Sequence, residues 1–202
     1  MHVPGRASYA PRVADTTMPA IEHDVEARPG DGPLELVGLA SIQALGAEAV
    51  VTTRRGGVSG GPYASLNLGD HVGDDPTAVA ENRRRLAGFF GVATDALVVV
   101  RQVHGATAAI VDAATRPNEA DALVTADPRV VVCVLVADCV PVVVLDPTAR
   151  VLAVVHAGWR GTVAGVVGAT VERMVAGRRT VEVVRLKITD AERQALTGKG
   201  AQ

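Results

Sequence analysis

The stretch Val151-Leu152-Ala153-Val154-Val155-His156-Ala157-Gly158-Trp159-Arg160-Gly161 decides the fold class. Its first five residues are apolar and rich in valine, the pattern of a strand buried on both faces, and the strand ends at His156. Gly158 and Gly161 permit a tight turn, and a helix begins at once. That helix is expected from about Thr162 to Ala176, with Val163, Val166, Val167, Val171, Met174 and Val175 on one face.

Further runs of the same kind lie on the N-terminal side: Leu97 to Val103, Ala108 to Val111, Ala122 to Thr125, Val130 to Val136 and Val140 to Leu145. Their length and valine content favour strands, mostly buried on both faces. Ala49 to Thr53 reads as one more strand, followed by the Gly-rich loop Arg54-Arg55-Gly56-Gly57-Val58-Ser59-Gly60-Gly61. A first helix is expected from Pro76 to Phe90. Asp75 is placed to cap it, Pro76 suits its first position and Gly91 its exit, while Val79, Leu86 and Phe90 supply the apolar stripe. The expected fold is α+β (mixed α/β), a single domain with a substantial mixed β-sheet packed by a few helices.

The chain has 202 residues, enough to bury a sizeable core. Hydrophobic residues make up 48% and aromatics only 2%, so valine, alanine and leucine must fill that core. So few aromatic rings argue against stacking on single-stranded nucleic acid, and a net charge of -2 supplies no field for nucleic acid or an anionic membrane. The most hydrophobic run, Val130 to Leu145, is too short to span a bilayer and is interrupted by Asp138 and Pro141. Residues 1–33 carry five prolines and no apolar signal region, and are read as a flexible leader. A cytoplasmic location follows, with Cys133 and Cys139 as reduced thiols, because two cysteines so close along a strand cannot readily meet. No feature of the sequence speaks to an oligomeric state.

Three potential metal ligands stand at the ends of apolar strands: His104 in Gln102-Val103-His104-Gly105, Cys139 in Ala137-Asp138-Cys139-Val140-Pro141, and His156. Two imidazoles and a thiolate suit zinc, and three protein ligands leave a fourth position open, as in catalytic sites. Their wide spacing resembles no zinc finger. A cysteine in a valine-rich strand also reads as a small buried hydrophobe, the reading given to Cys133, and a histidine at a strand end as a hydrogen-bonded structural residue. His71 stays open between these. The helix start after His156 offers an anion seat with Arg160 beside it, or simply a strand–turn–helix corner.

The ordered motifs resemble those of the YfiH-like family, also called laccase-domain or multicopper polyphenol oxidoreductase proteins. They are Thr52-Thr53-Arg54-Arg55-Gly56-Gly57-Val58-Ser59, Ser65-Leu66-Asn67-Leu68-Gly69, Val72-Gly73-Asp74-Asp75, Glu81-Asn82-Arg83, Gln102 to Gly105, Ala120-Asp121-Ala122-Leu123-Val124-Thr125, Ala137 to Pro141 and His156 to Gly161. The resemblance covers about Val50 to Met174 and implies a catalytic zinc on His104, Cys139 and His156. It implies purine nucleoside phosphorylase activity with adenosine deaminase activity, on a purine nucleoside and phosphate.

Carried over with it, Arg54, Asn67 and Cys139 are candidate catalytic residues, and Ser65, Gln102 and Arg160 candidate substrate-binding residues. Asp138 and Trp159 are candidate supporting residues. Copper is the less favoured metal, since five histidines, two of them in the leader, cannot furnish a multicopper cluster. A cysteine hydrolase with Cys139 as nucleophile, such as an editor of peptidoglycan precursors, is the alternative enzyme.

The resemblance ends before the chain does. The expected organisation is a leader over 1–33, a catalytic domain over 34–177, incomplete at its C-terminus, and a divergent tail over 178–202. In the tail, 181–188 reads as a strand and Asp190 as the cap of a short helix. A truncated remnant that binds metal without turnover is the non-enzymatic reading.

Overall fold

Valine is the chief material of the sheets, and the burial of alternate residues shows how they pack. The computed structural model describes residues 33–177, together with the backbone of one strand at Ile21–Glu22. In chain order the strands are Ile21–Glu22 (β1), Glu35–Gly38 (β2), Val50–Thr52 (β3), Leu97–Val98 (β4), Ala108–Ile110 (β5), Ala122–Thr125 (β6), Val131–Val132 (β7), Val140–Asp146 (β8) and Val151–Ala157 (β9). The helices are Ala40–Gln43 (α1), Pro76–Phe89 (α2), Trp159–Val163 (α3) and Val166–Gly177 (α4). The fold is a mixed α/β single domain, as expected.

The main sheet has the order β5-β6-β9-β8, with β5 parallel to β6 and the other neighbours antiparallel. All four residues of β6 are buried. Leu123 points into a cluster with Val98, Val111 and Val132, whereas Ala122 and Val124 pack on the opposite face with Val166 and Met174. This two-residue alternation is what a strand covered on both faces requires. The antiparallel sheet β1-β2-β3 and the parallel pair β4-β7 complete the strand structure.

Three expectations are corrected. First, β8 is not buried on both faces. It lies at the edge of its sheet, and Val140 is 59% exposed. Second, the runs beginning at Leu97 and Val130 pair as strands over only two residues each, after which side-chain bonds replace the ladder.

Third, the single helix after His156 is two helices, broken where Gly165 adopts φ 84°. Its buried stripe is Val166, Thr170 and Met174, while Val163, Val167, Val171 and Val175 face outward at 37–82% exposure. Both stripes repeat every four residues, so periodicity alone favours the all-valine one. Thr170 enters the core because its hydroxyl donates to the Val166 carbonyl at 2.7 Å and loses no hydrogen bond on burial.

Helix α2 forms where its caps place it. The Asp75 carboxylate accepts from Thr77 N–H, Pro76 occupies the first turn, and Gly91 leaves the helix at φ 65°. Val79 and Leu86 are buried as expected and Phe90 partly, but Asn82, Arg85 and Ala87 join them. Within the stretch read as a leader, Ile21 pairs with Leu36. The remainder of that leader and the tail elements expected at 181–188 and after Asp190 lie outside the described residues. Among the described residues no helix is long and apolar enough to cross a membrane.

Candidate metal centre

Strand register assembles the site. Antiparallel pairing sets Val140 opposite Ala157 and Pro141 opposite His156. One step further along the hairpin, Cys139 stands opposite Gly158. On the other side of β9, Ala122 pairs with Val155, so Asp121 falls opposite His156, whose N–H donates to the Asp121 carbonyl at 2.7 Å. Directly opposed residues on neighbouring strands project from the same face. His104 reaches this end of the sheet on the loop before β5, in a left-handed conformation with φ 60°.

The ligand atoms of His104, Cys139 and His156 all lie within 4.8 Å of one another. The two imidazoles meet edge to face, with centroids 4.7 Å apart. Tetrahedral zinc needs donors about 3.3–3.6 Å apart, so a modest inward movement of the rings and thiol closes a site. Gly158 shapes that cradle. A Cβ there would stand 3.0 Å from His104 Cδ2 and 3.1 Å from Cys139 Sγ. The residues present therefore fit a single soft or borderline cation with one position left open. Cys139 is partly buried, and His156 is 3% exposed.

The centre lies in the wall of a cleft of about 1040 Å³, which Arg54, Asn67, His71, Gln102 and Asp138 also line. The Arg54 Nε donates to Ala64 O at 2.6 Å, which anchors the guanidinium to the loop. The Asn67 amide donates to Asp74 and Gly69 O and accepts from Gly69 N–H. Bonds from the Ser59 hydroxyl and then Asn67 hold the Asp74 carboxyl below the usual carboxylate range.

Other sequence candidates do different work. Gln102 clamps Leu135 in both directions, donating to its carbonyl at 2.8 Å and accepting from its N–H at 2.7 Å. This clamp ties the chain before His104 to the chain before Cys139. Ser65 does not line the cleft; its hydroxyl donates to Arg54 O and accepts from Gly57 N–H. Arg160 is exposed and stacks over the Trp159 ring at 5.3 Å. The anion seat expected beside it rested on one long helix. With α3 ending after five residues, the aligned dipoles of such a helix are missing.

Two buried polar residues that brace this region carried no role in the sequence reading. Asp121 is fully buried, accepts from the backbone N–H of His104 at 2.8 Å and of Gly105 at 2.7 Å, and lies 3.0 Å from His156 Nδ1. Asn82 is equally buried and ties the Gly-rich loop to the segment carrying Asn67. For Asp121 the available signal was a lone acid at the head of an apolar run, since a buried polar group must be matched by partners; Asn82, set among Glu81 and three arginines, carried no such signal. Cys133 behaves as the sequence reading assigned it. It packs against Leu86 and Leu97, and burial pushes its thiol up to about 12.

A family model described as multi-copper polyphenol oxidoreductase laccase matches residues 48–188. The chain belongs to that family. The laccase-family match extends past Met174 into the segment read as a divergent tail. A protein of Corynebacterium glutamicum named purine nucleoside phosphorylase is 51% identical over 129 residues, covering 62% of this chain and 52% of the relative. The laccase-family chain thus spans about half the length of the curated relatives it matches. Among solved structures, YlmD of Geobacillus stearothermophilus aligns with TM-score 0.67 at 35% identity, over 81% of this chain and 61% of that one. YfiH of Bacillus licheniformis aligns with TM-score 0.64 at 29% identity, over 69% and 55%.

Proposed function

We propose that this chain is a zinc-dependent purine nucleoside phosphorylase that also deaminates adenosine. The observation that carries the proposal is the His104–Cys139–His156 group opening onto a cleft that also holds Arg54. The names of its relatives support the phosphorylase reading. Zinc is preferred to copper because, among the described residues, one group of three donors serves one ion, and its two imidazoles and a thiolate are the donors zinc favours.

In phosphorolysis a phosphate oxygen bonds to C1′ of the ribose while the C1′–N9 bond breaks and the purine leaves with a proton. The protein's task is to hold the anion in line and to neutralise charge as it moves. The anchored Arg54 guanidinium does this with its terminal nitrogens, while the bond from Asn67 to Asp74 fixes Asn67 in the cleft lining. When bound, zinc supplies Lewis acidity for phosphorolysis and lowers the pKa of water for attack at purine C6, which releases ammonia. His104, Cys139 and His156 hold the ion, and Gly158 keeps space beside it. A cytoplasmic site of action accords with free thiols at Cys133 and Cys139.

The test is zinc content measured together with base release from inosine and adenosine, with and without phosphate, for the wild type and Cys139→Ala. The expected result is about one zinc per chain and phosphate-dependent release of free purine, both lost in Cys139→Ala. Folded, zinc-loaded chain that releases no base sinks the phosphorylase reading in favour of a metal-binding remnant. Activity that survives a chelator and disappears on thiol alkylation would instead identify a cysteine hydrolase.

A further inference from the structure

Asp121 receives more hydrogen-bond donors than any ordinary strand residue requires. Its Oδ1 accepts from His104 N–H and His156 Nδ1, and its Oδ2 from Gly105 N–H, with Val103 N–H at 3.4 Å. No part of the carboxylate is exposed to solvent, so these groups are the whole of its solvation. Three of the four donors are successive backbone N–H groups, a concave arrangement that only an acceptor on all sides holds together. The middle one belongs to His104, whose left-handed backbone is unfavourable for a residue with a Cβ. The fourth is one nitrogen of the His156 ring. A carboxylate can only accept there, so Nδ1 carries the hydrogen and Nε2 keeps its lone pair.

We infer that Asp121 is the positioning residue of the metal centre, setting the His156 tautomer and the His104 backbone turn together. One buried carboxylate thereby prepares two of the three donors before an ion arrives. Strand register brings this about: Asp121, just before β6, lies opposite His156 of β9, and the loop before β5 reaches the same sheet end. The inference rests on the metal-site reading of His104, Cys139 and His156, and deepens it.

The discriminating variant is Asp121→Asn, nearly isosteric but with an NH₂ in place of one oxygen. The amide must then face two former donors. Backbone N–H groups cannot become acceptors, whereas the His156 ring can, by moving its hydrogen to Nε2. In metal-free protein, side-chain ¹H–¹⁵N correlation spectra should show His156 with the hydrogen on Nδ1 in the wild type and on Nε2 in Asp121→Asn. Chelator competition should show zinc affinity reduced by about 10–100-fold, the range for losing a partner behind a ligand.

Retention in the variant of either the Nδ1–H tautomer or wild-type zinc affinity overturns the proposal. If Asp121→Asn does not fold, the wild-type spectrum decides: Nδ1–H at His156 supports the role and Nε2–H overturns it. The tautomer is read without metal or turnover. A chain that releases no purine base therefore sinks the proposed function while the His156 signal still tests Asp121.

Discussion

Replacing Asn82 by alanine should destabilise the protein by about 3 kcal/mol, and the figure can be worked from its bonds. The Asn82 Oδ1 accepts from Val58 N–H at 2.8 Å, and its Nδ2 donates to Ser59 Oγ at 2.9 Å, Asn67 O at 2.8 Å and Ser65 O at 3.2 Å. Two of these partners keep another bond after truncation. Ser65 O still accepts from Ser59 N–H, and Ser59 Oγ still donates to Asp74. Val58 N–H and Asn67 O lose the bonds that Asn82 supplies.

Each orphaned polar group costs about 1–3 kcal/mol, and water admitted to the vacated space recovers part of that, which gives the working figure. The assay is urea denaturation of the full chain, read as a fall in midpoint at constant m-value. Asn82→Asp is the stringent companion. It keeps the Val58 bond but turns an oxygen toward three acceptors, so it should cost at least as much as alanine. A loss below about 1 kcal/mol for Asn82→Ala would refute the claim that this one amide holds the Gly-rich loop against the Asn67 segment.

Three further outcomes are expected. Hydrogen bonds from Arg84, with Arg85 assisting, hold Glu81 at about 2 against an ordinary 4.5. Because the folded value is the lower one, this stabilisation is complete above about pH 4.5 and fades as the pH falls toward 2. Glu81→Gln should therefore flatten the acid side of a stability–pH profile; an unchanged profile counts against it. Gly168→Ala, on an open helix surface, should raise stability by about 0.5–1 kcal/mol. Gly161→Ala, whose Cβ would stand 2.7 Å from Gly105 O, should lower it, so thermal melts that rank the two the other way contradict the packing of α3 on the His104 loop. Finally, Val166→Ala should cost about 2 kcal/mol, whereas Val171→Lys should shift stability by no more than about 0.5 kcal/mol, as chemical denaturation would show. Equal costs would return Val171 to the core.

Much of the architecture was legible before any coordinates. The β6 and β9 strands read correctly because short apolar runs containing β-branched residues have few other solutions. Helix α2 read correctly because Asp75, Pro76 and Gly91 mark its ends chemically. The failures have a common cause. Helix α4 carries two stripes that repeat every four residues, and only contact with the sheet selects the one containing Thr170. The edge position of β8 is likewise a property of neighbours, invisible in its own composition.

By itself the sequence determined the inventory of the candidate site: two histidines and a cysteine as potential ligands, and an arginine on a Gly-rich loop. Residue chemistry and ordered motifs suffice for that, because ligand type is a local property. Tertiary structure alone decided which polar groups hold the inventory in place. Along the chain Asp121 appears as an acid at the head of an apolar run, and Asn82 as an amide between Glu81 and Arg83. Strand register sets Asp121 against His156, and helix packing sets Asn82 under the loop. Burial then turns each from an ordinary residue into a requirement, since a polar group removed from water must find its partners within the fold.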